Sequence, residues 1–376
     1  MKSRFFKALA LSAALVAGSI GCSVGAGDTG RLSLSLTDAT TELYSAVYVT
    51  IREVAVASDD EAWSVVATPN KTYNLLALVN GVREQLALAD LPAGHYTQMR
   101  LIIGDQPDGG INILSQAHPF ANYVIDDDDD ECHALKIPSG LQTGIKIVYG
   151  FDINENRTTE LILDFDAAKS VVVAGSSGLY LLEPTIQVLS TALASIVEGT
   201  VTKASDMTGL KNARVSAQVY DAAAADVRDR VVVRAATSSG DDGGYSIFIA
   251  PGAYNLVAVK VEFAAAAAAR TTVEDETATQ DFALSAADFG TVEGEAVIGG
   301  ADDETFVTLS FRQTVSLGGG DVMIEIASVN VANGGDYSVE LPVGAYVVVS
   351  STLGRTTQAA DITVNAGATT TLDLSF

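Results

Sequence analysis

The chain has 376 residues, with 22 Lys+Arg against 47 Asp+Glu and a net charge of −25. Such a balance repels nucleic-acid phosphates and anionic headgroups, so nucleic acid is excluded as a partner class. With 48% hydrophobic residues, 8 Pro and only 2 Cys, stability is expected to come from packed cores, since two cysteines allow one disulfide at most.

The chain opens with Lys2, Arg4 and Lys7, an apolar run from Ala8 to Val16, and the small residues Ala17, Gly18, Ser19 and Gly21. That order reads as a cleaved signal peptide over 1–21, and its apolar part is too short to span a bilayer. It ends at Cys22, and the segment resembles a bacterial lipobox, with Ser19 where Leu is usual. The resemblance implies a lipidated Cys22, a membrane anchor, and, with Ser23 following, sorting to the outer membrane or cell surface. Cleavage after Ala26, releasing an unanchored protein, is the alternative. Without the signal, 19 Lys+Arg face 47 Asp+Glu, a net −28.

Beyond the signal, period-2 strand patterns recur between Gly, Asp and Asn clusters. Leu32, Leu34 and Leu36 alternate with polar residues, Val47, Val49 and Ile51 repeat the pattern, and so do Leu161, Leu163 and Phe165. One short helix is expected between Tyr73 and Val79. The alanine runs at 222–225 and 264–269 are expected as loops or a single helical turn at a sandwich edge. The fold class is therefore all-β: three tandem β-sandwich domains, at 28–190, 195–285 and 290–376.

The first domain carries Gly30-Arg31-Leu32-Ser33-Leu34-Ser35-Leu36-Thr37-Asp38-Ala39, Leu91-Pro92-Ala93-Gly94-His95-Tyr96, Ile137-Pro138-Ser139-Gly140-Leu141 and Leu163-Asp164-Phe165-Asp166-Ala167-Ala168-Lys169. In this order the stretches resemble the bacterial domain of unknown function 4382, which implies a β-sandwich on a secreted lipoprotein and no known activity. Ala39 and Thr40 stand where that family usually has Pro.

The second half repeats itself. Val197-Glu198-Gly199 is echoed by Val292-Glu293-Gly294, and Gly244-Tyr245-Ser246 by Asp336-Tyr337-Ser338. Pro251-Gly252-Ala253-Tyr254 is echoed by Pro342-Val343-Gly344-Ala345-Tyr346, a turn in which glycine is expected to supply a positive φ. These repeats resemble carboxypeptidase-regulatory-like domains, the prealbumin or starch-binding-like sandwich. That resemblance implies spacer, adhesion or carbohydrate-binding roles.

Residues that could carry chemistry are few. Asp164 and Asp166 lie two apart on one strand and so share a face, as a carboxylate pair for glycoside chemistry or a metal would. The plainer reading pairs them with Lys169 and Arg100. Asp126, Asp127, Asp128, Asp129 and Asp130 supply hard oxygen ligands for Ca²⁺, the one candidate cofactor, but lack the alternating ligands and glycine turn of a calcium loop. They read first as a solvated loop. Asp241-Asp242-Gly243-Gly244 and Asp302-Asp303-Glu304 carry the same ambiguity. Cys132 reads as a small buried hydrophobe. His95, His118 and His133 are the only histidines, and no hydrolase, phosphate-loop or dinucleotide motif occurs. Trp63, Tyr73, Tyr96, Tyr123, Tyr149, Tyr220 and Tyr245 could form a sugar platform if exposed, though strand tyrosines more often line cores.

The function expected is a non-enzymatic cell-envelope lipoprotein that binds, adheres or scaffolds at the surface. Its alternatives are carbohydrate binding through the sandwiches and a calcium-stiffened adhesin. Expected partners are the membrane through the lipid anchor, and a polysaccharide or surface protein. The two C-terminal sandwiches are expected to extend outward as a stalk or adhesive tip.

Overall fold

A computed structural model describes residues 29–39, 44–58, 62–126, 130–138, 143–174, 179–191, 194–301 and 305–376. Cys22 and the export segment therefore lie outside the described residues. The chain is all-β, built around three main hydrophobic cores.

In the first unit, four strands form one sheet in the order Ile186–Ser190, Thr158–Asp166, Thr29–Ala39, Glu84–Pro92. The second and third of these run parallel. Leu32, Leu34, Leu36, Leu161, Leu163 and Phe165 point into the core from this sheet, as alternation requires. The facing sheet is centred on Tyr44–Ala57, whose Val47, Val49 and Ile51 meet that core. Leu75–Ala77 is a single 3₁₀ turn, followed by Asn80 and Gly81 at positive φ.

The two later units share one topology. In the second, Gly244–Ile249 and Ser195–Lys203 pair antiparallel, while Thr277–Thr279 and Phe282–Leu284 run parallel to Ser195–Lys203 on its other side. In the third, Gly335–Pro342, Phe289–Val297, Thr369–Thr371 and Leu374–Ser375 repeat that arrangement. The opposing sheets match as well: Val231–Ser238, Arg214–Tyr220, Gly252–Val259, Ala266–Thr272 against Gly320–Ala332, Phe306–Leu317, Gly344–Ser351, Gln358–Val364.

The repeated glycine has a steric cause. At Gly199 a Cβ would sit 2.0 Å from the carbonyl oxygen of Gln280, and at Gly294 it would sit 2.1 Å from that of Leu372. Those backbones cross there because Gln280 N–H and Leu372 N–H each donate 2.8 Å bonds, to the Glu198 and Glu293 carbonyls. Tyr245 and Tyr337 hydroxyls donate to the same Gln280 and Leu372 carbonyls. Gly199→Ala is therefore expected to cost about 3 kcal/mol, the upper end of overpacking. Urea melts of wild type and variant measure it.

A Pro and Gly turn closed by a tyrosine recurs in all three units, as Pro-x-Gly-x-Tyr in the first and third and Pro-Gly-x-Tyr in the second. Tyr96 donates to the Pro92 carbonyl at 3.1 Å, Tyr254 to Ala250 at 2.8 Å, and Tyr346 to Pro342 at 2.7 Å. Gly344 has the positive φ expected of it, 154°, and Gly94 shares it at 158°, whereas Gly252 does not.

The alanine run corrects a second expectation. Residues 222–225 and 264–265 lie in turns and loops as expected, but residues 266–269 do not: Ala266–Thr272 is a strand paired with Gly252–Val259. Ala266 and Ala268 pack on the second core, and Ala265 and Ala267 on the third. A strand squeezed between two cores has room for methyl groups on both faces, so composition here follows packing rather than helix propensity.

The expected outward stalk is not what forms. Val257 and Val259 of the second unit belong to the third unit's core. Gly320–Ala332 of the third unit pairs with Val171–Ala174 of the first through Val331 and Val173, which joins their sheets into one of thirteen strands among the described residues. The first and second units meet where Gln187 donates to the Val233 carbonyl, Asn80 N–H donates to Thr237, and the Arg83 guanidinium lies 4.8 Å from the Phe248 ring. Each unit touches both others.

Candidate functional site

Where the three units meet, the polar faces of two sheets are turned toward each other. On Arg214–Tyr220, Val215 and Ala217 enter the second core, which leaves Arg214, Ser216 and Gln218 on the opposite face. On Phe306–Leu317, Leu309 and Phe311 enter the third core, leaving Ser310 and Arg312 outside it. Glu325 lies between the core residues Ile324 and Ile326. In an isolated sandwich these polar positions would face water; here Ser216, Gln218, Ser310, Arg312 and Glu325 are buried.

Their hydrogen bonds are largely closed. Gln218 takes the place of a strand, accepting from Glu325 N–H and donating to Glu325 C=O, each at 2.8 Å. Ser310 donates to Glu325 Oε2 at 2.7 Å and accepts from Arg312 Nε at 2.9 Å. Arg312 also donates to the Val227 and Arg228 carbonyls at 2.7 and 2.9 Å. Asn330 Nδ2 of the third unit donates to the Lys169 carbonyl of the first, and Lys169 Nζ lies 3.2 Å from Asp166 Oδ2.

Burial pushes the Glu325 carboxyl up, but Lys169, Arg214, the Ser310 hydroxyl and Arg312 together hold it below the usual carboxylate value. Burial likewise opposes the Lys169 ammonium, and Asp166 and Glu325 more than offset it, so its value rises. For Arg312 burial wins, lowering its value against Glu325, Asp226 and Asp229. One glutamate thus holds three cations contributed by three units.

The acidic residues singled out in the sequence do not converge. Asp126 accepts from the Tyr180 hydroxyl at 2.8 Å, Asp130 closes a backbone turn onto Asp126 with a φ of 54°, and Asp127, Asp128 and Asp129 lie outside the described residues. Asp164 and Asp166 stand at the end of a strand in the other sheet of the first unit. Asp166 caps the turn Ala167–Ser170 by accepting from Lys169 N–H. Lys169 is thus the expected partner of this pair; Arg100 is not, because its guanidinium sits 4.5 Å from the Trp63 ring. Among the described residues no three His, Cys, Asp or Glu side chains gather as a metal would need. Asp241 pairs with Lys211, and Asp242 accepts from Gly244 N–H within a turn that has Gly243 at positive φ. Residues 302–304 lie outside the described residues.

Asp164 is the exception in environment. It is 6% exposed, and its Oδ1 has no hydrogen-bond partner among the described residues. It borders a small gap with Thr37, Thr237 and Phe248, where the second unit covers the first unit's sheet. Burial first, then Asp166, push its value up to about 7 against the pull of Lys169.

Of the aromatics that could form a sugar platform, Tyr73, Tyr96, Tyr123 and Tyr245 are buried, while Trp63, Tyr149 and Tyr220 are half-buried. Cys132 is half-buried, and burial raises its thiol value.

Beside the buried cluster a cleft of about 910 Å³ opens between all three units. Tyr44 and Asn80 border it from the first unit, Arg214, Ser238 and Lys260 from the second, and residues 326–329 and 338–342 from the third. Its size lies within the range of ligand sites. Sequence reasoning missed both cleft and cluster. The available signal was a lone charge within an apolar strand, as in Met323-Ile324-Glu325-Ile326.

Comparison with known proteins bears on the first unit. Residues 29–184 match the family described as Domain of unknown function (DUF4382). That match takes in the first unit apart from its strand Ile186–Ser190 and stops short of both repeats. No curated protein matches the chain. Among solved structures, the Bacillus anthracis TIE protein is 13% identical over 93% of this chain and 50% of its own, with a TM-score of 0.21. This chain thus spans half the length of that protein. A streptococcal ancillary pilin is 10% identical over 92% and 99%, with a TM-score of 0.21. GBS52, the minor pilin of Streptococcus agalactiae, is 12% identical over 48% and 94%, with a TM-score of 0.18. At such scores none of their roles transfers to this chain. No helix among the described residues is long and apolar enough to cross a membrane.

Proposed function

We propose that this chain is a non-enzymatic cell-envelope lipoprotein, anchored through Cys22, that acts as a binding or scaffold protein outside the cytoplasm. The observation that carries the binding role is the cleft bordered by all three units, beside a buried cluster that ties those units together. A ligand contacting three tied units meets a preformed surface, which lowers the entropic cost of binding. The export-type segment and the acidic composition agree with display outside the cytoplasm.

Mass spectrometry of the mature N-terminus, from a diderm host with its own lipoprotein machinery, tests the anchor. Diacylglyceryl-modified Cys22 and membrane-bound protein are expected, with release into the soluble fraction for Cys22→Ala. An unmodified terminus at Gly27 overturns the anchor. Carbohydrate binding through an aromatic shelf finds little support in rings that lie mostly in cores. Calcium stiffening has its own test: a melting temperature indifferent to both millimolar Ca²⁺ and EDTA removes it.

A further inference from the structure

We infer that the cleft takes an extended peptide segment bearing a carboxylate, which adds as a strand to the edge of Gly335–Pro342. This rests on the reading of the chain as a binding protein and names the partner class of the cleft.

Five consecutive residues, 338–342, line the cleft. Side chains on a strand alternate between faces, so a consecutive run lines a space only when the edge of the strand faces it. Gly335–Pro342 is the terminal strand of its sheet and, among the described residues, pairs only with Phe289–Val297. Val343 N–H donates to the Asp288 carbonyl, toward that neighbour. Counting back by alternation, Leu341 and Val339 also turn their backbone groups inward, while Ser338 and Glu340 turn theirs to the cleft. Pro342 has no N–H and its carbonyl accepts from Tyr346, so the open edge ends there. A guest strand would therefore pair at Ser338 and Glu340 and no further.

The opposite wall supplies charge and a spare hydroxyl. Among the described residues Arg214 has one long contact, to Glu325 at 3.5 Å, which leaves most of its five donors for a ligand. Lys260 adds a second positive charge, in a chain whose net charge is −25. Ser238 is 4% exposed, borders the cleft, and its hydroxyl has no partner among the described residues. Paired main-chain groups give affinity in strand addition, and the side-chain pockets give selectivity. An open backbone edge distinguishes a peptide from an acidic glycan, which offers carboxylates but no strand.

The test titrates the mature full chain with a terminally blocked pentapeptide alternating valine and glutamate, by calorimetry. One analogue carries glutamine for glutamate, another is N-methylated at alternate nitrogens, and oligogalacturonate serves as the glycan arm. Saturable binding of the first peptide is expected, weakened about tenfold by glutamine and abolished by N-methylation on the pairing edge. Lys260→Gln, which leaves the buried cluster intact, is expected to weaken binding of the glutamate peptide more than that of the glutamine analogue. Equal binding of the N-methylated peptide overturns the proposal, as does the absence of peptide binding or a preference for oligogalacturonate. An unlipidated N-terminus would overturn the anchor and leave this site standing.

Discussion

Replacing Glu325 with alanine is expected to destabilise the protein by about 3–5 kcal/mol, the usual cost of leaving buried charge without its counter-ion. Lys169, Arg214 and Arg312 would remain around the vacated carboxylate, with Arg312 only 2% exposed. The Gln218 bonds to the Glu325 backbone survive the substitution, so the loss isolates the charge. Because the glutamate lies where all three units meet, its removal should also uncouple them. Urea unfolding should shift to a lower midpoint, and calorimetry should resolve more than one transition. A midpoint change worth less than about 1 kcal/mol would show that the cluster contributes no more than a surface pair. A Glu325/Arg312 double-mutant cycle then separates their pairwise coupling from the rest.

A different carboxylate sets the second large effect, and with the opposite pH sign. Asp164 has an ordinary value of 3.8 that burial raises to about 7 in the folded chain. Between those values the folded state holds a proton that the unfolded chain has released. Stability from this group is therefore fully present below pH 3.8 and is lost as pH rises through about 7. The total is roughly 4 kcal/mol, at about 1.4 kcal/mol for each tenfold change in proton affinity. Asp164→Asn, which resembles the protonated acid in shape and neutrality, should flatten this decline and be more stable than wild type above neutrality. Subtracting the variant's stability–pH curve from that of wild type isolates the group from others titrating in the same window. A difference curve flat between about pH 4 and 8 would mean that Asp164 is solvated, against its burial. Glu325 acts the other way: its folded value is depressed, so its contribution is present above its ordinary value of 4.5 and lost as pH falls through the folded one.

These two residues show how much of the site the sequence made legible. Asp164 was visible as half of a carboxylate pair, and its strand and face follow from alternation with Leu163 and Phe165. Its burial was not, because the cover comes from Thr237 and Phe248 of another unit. Glu325 was visible only as a charge in an apolar strand. Nothing local distinguishes it from an outward residue of a two-faced sheet, since Arg214, Ser216, Gln218, Ser310 and Arg312 all stand at polar positions of regular alternation. The alanine run misled for the same reason: methyl groups at 265–268 fit two cores, and only one of those belongs to the strand's own unit.

The amino-acid order by itself determined the all-β class and the duplicated C-terminal topology. Period-2 alternation and turn residues act over a few neighbours, and the repeated Val-Glu-Gly stretch and Gly-Ala-Tyr turn carry their own steric and hydrogen-bonding causes. Only the tertiary structure decided that the units close on one another, that polar faces meet there instead of water, and that a cleft opens beside them. Those outcomes depend on contacts between residues more than a hundred positions apart, such as Gln218 with Glu325 and Lys169 with Asn330. Alternation specifies that a face is polar; whether that face meets solvent or another sheet is a property of the packed assembly.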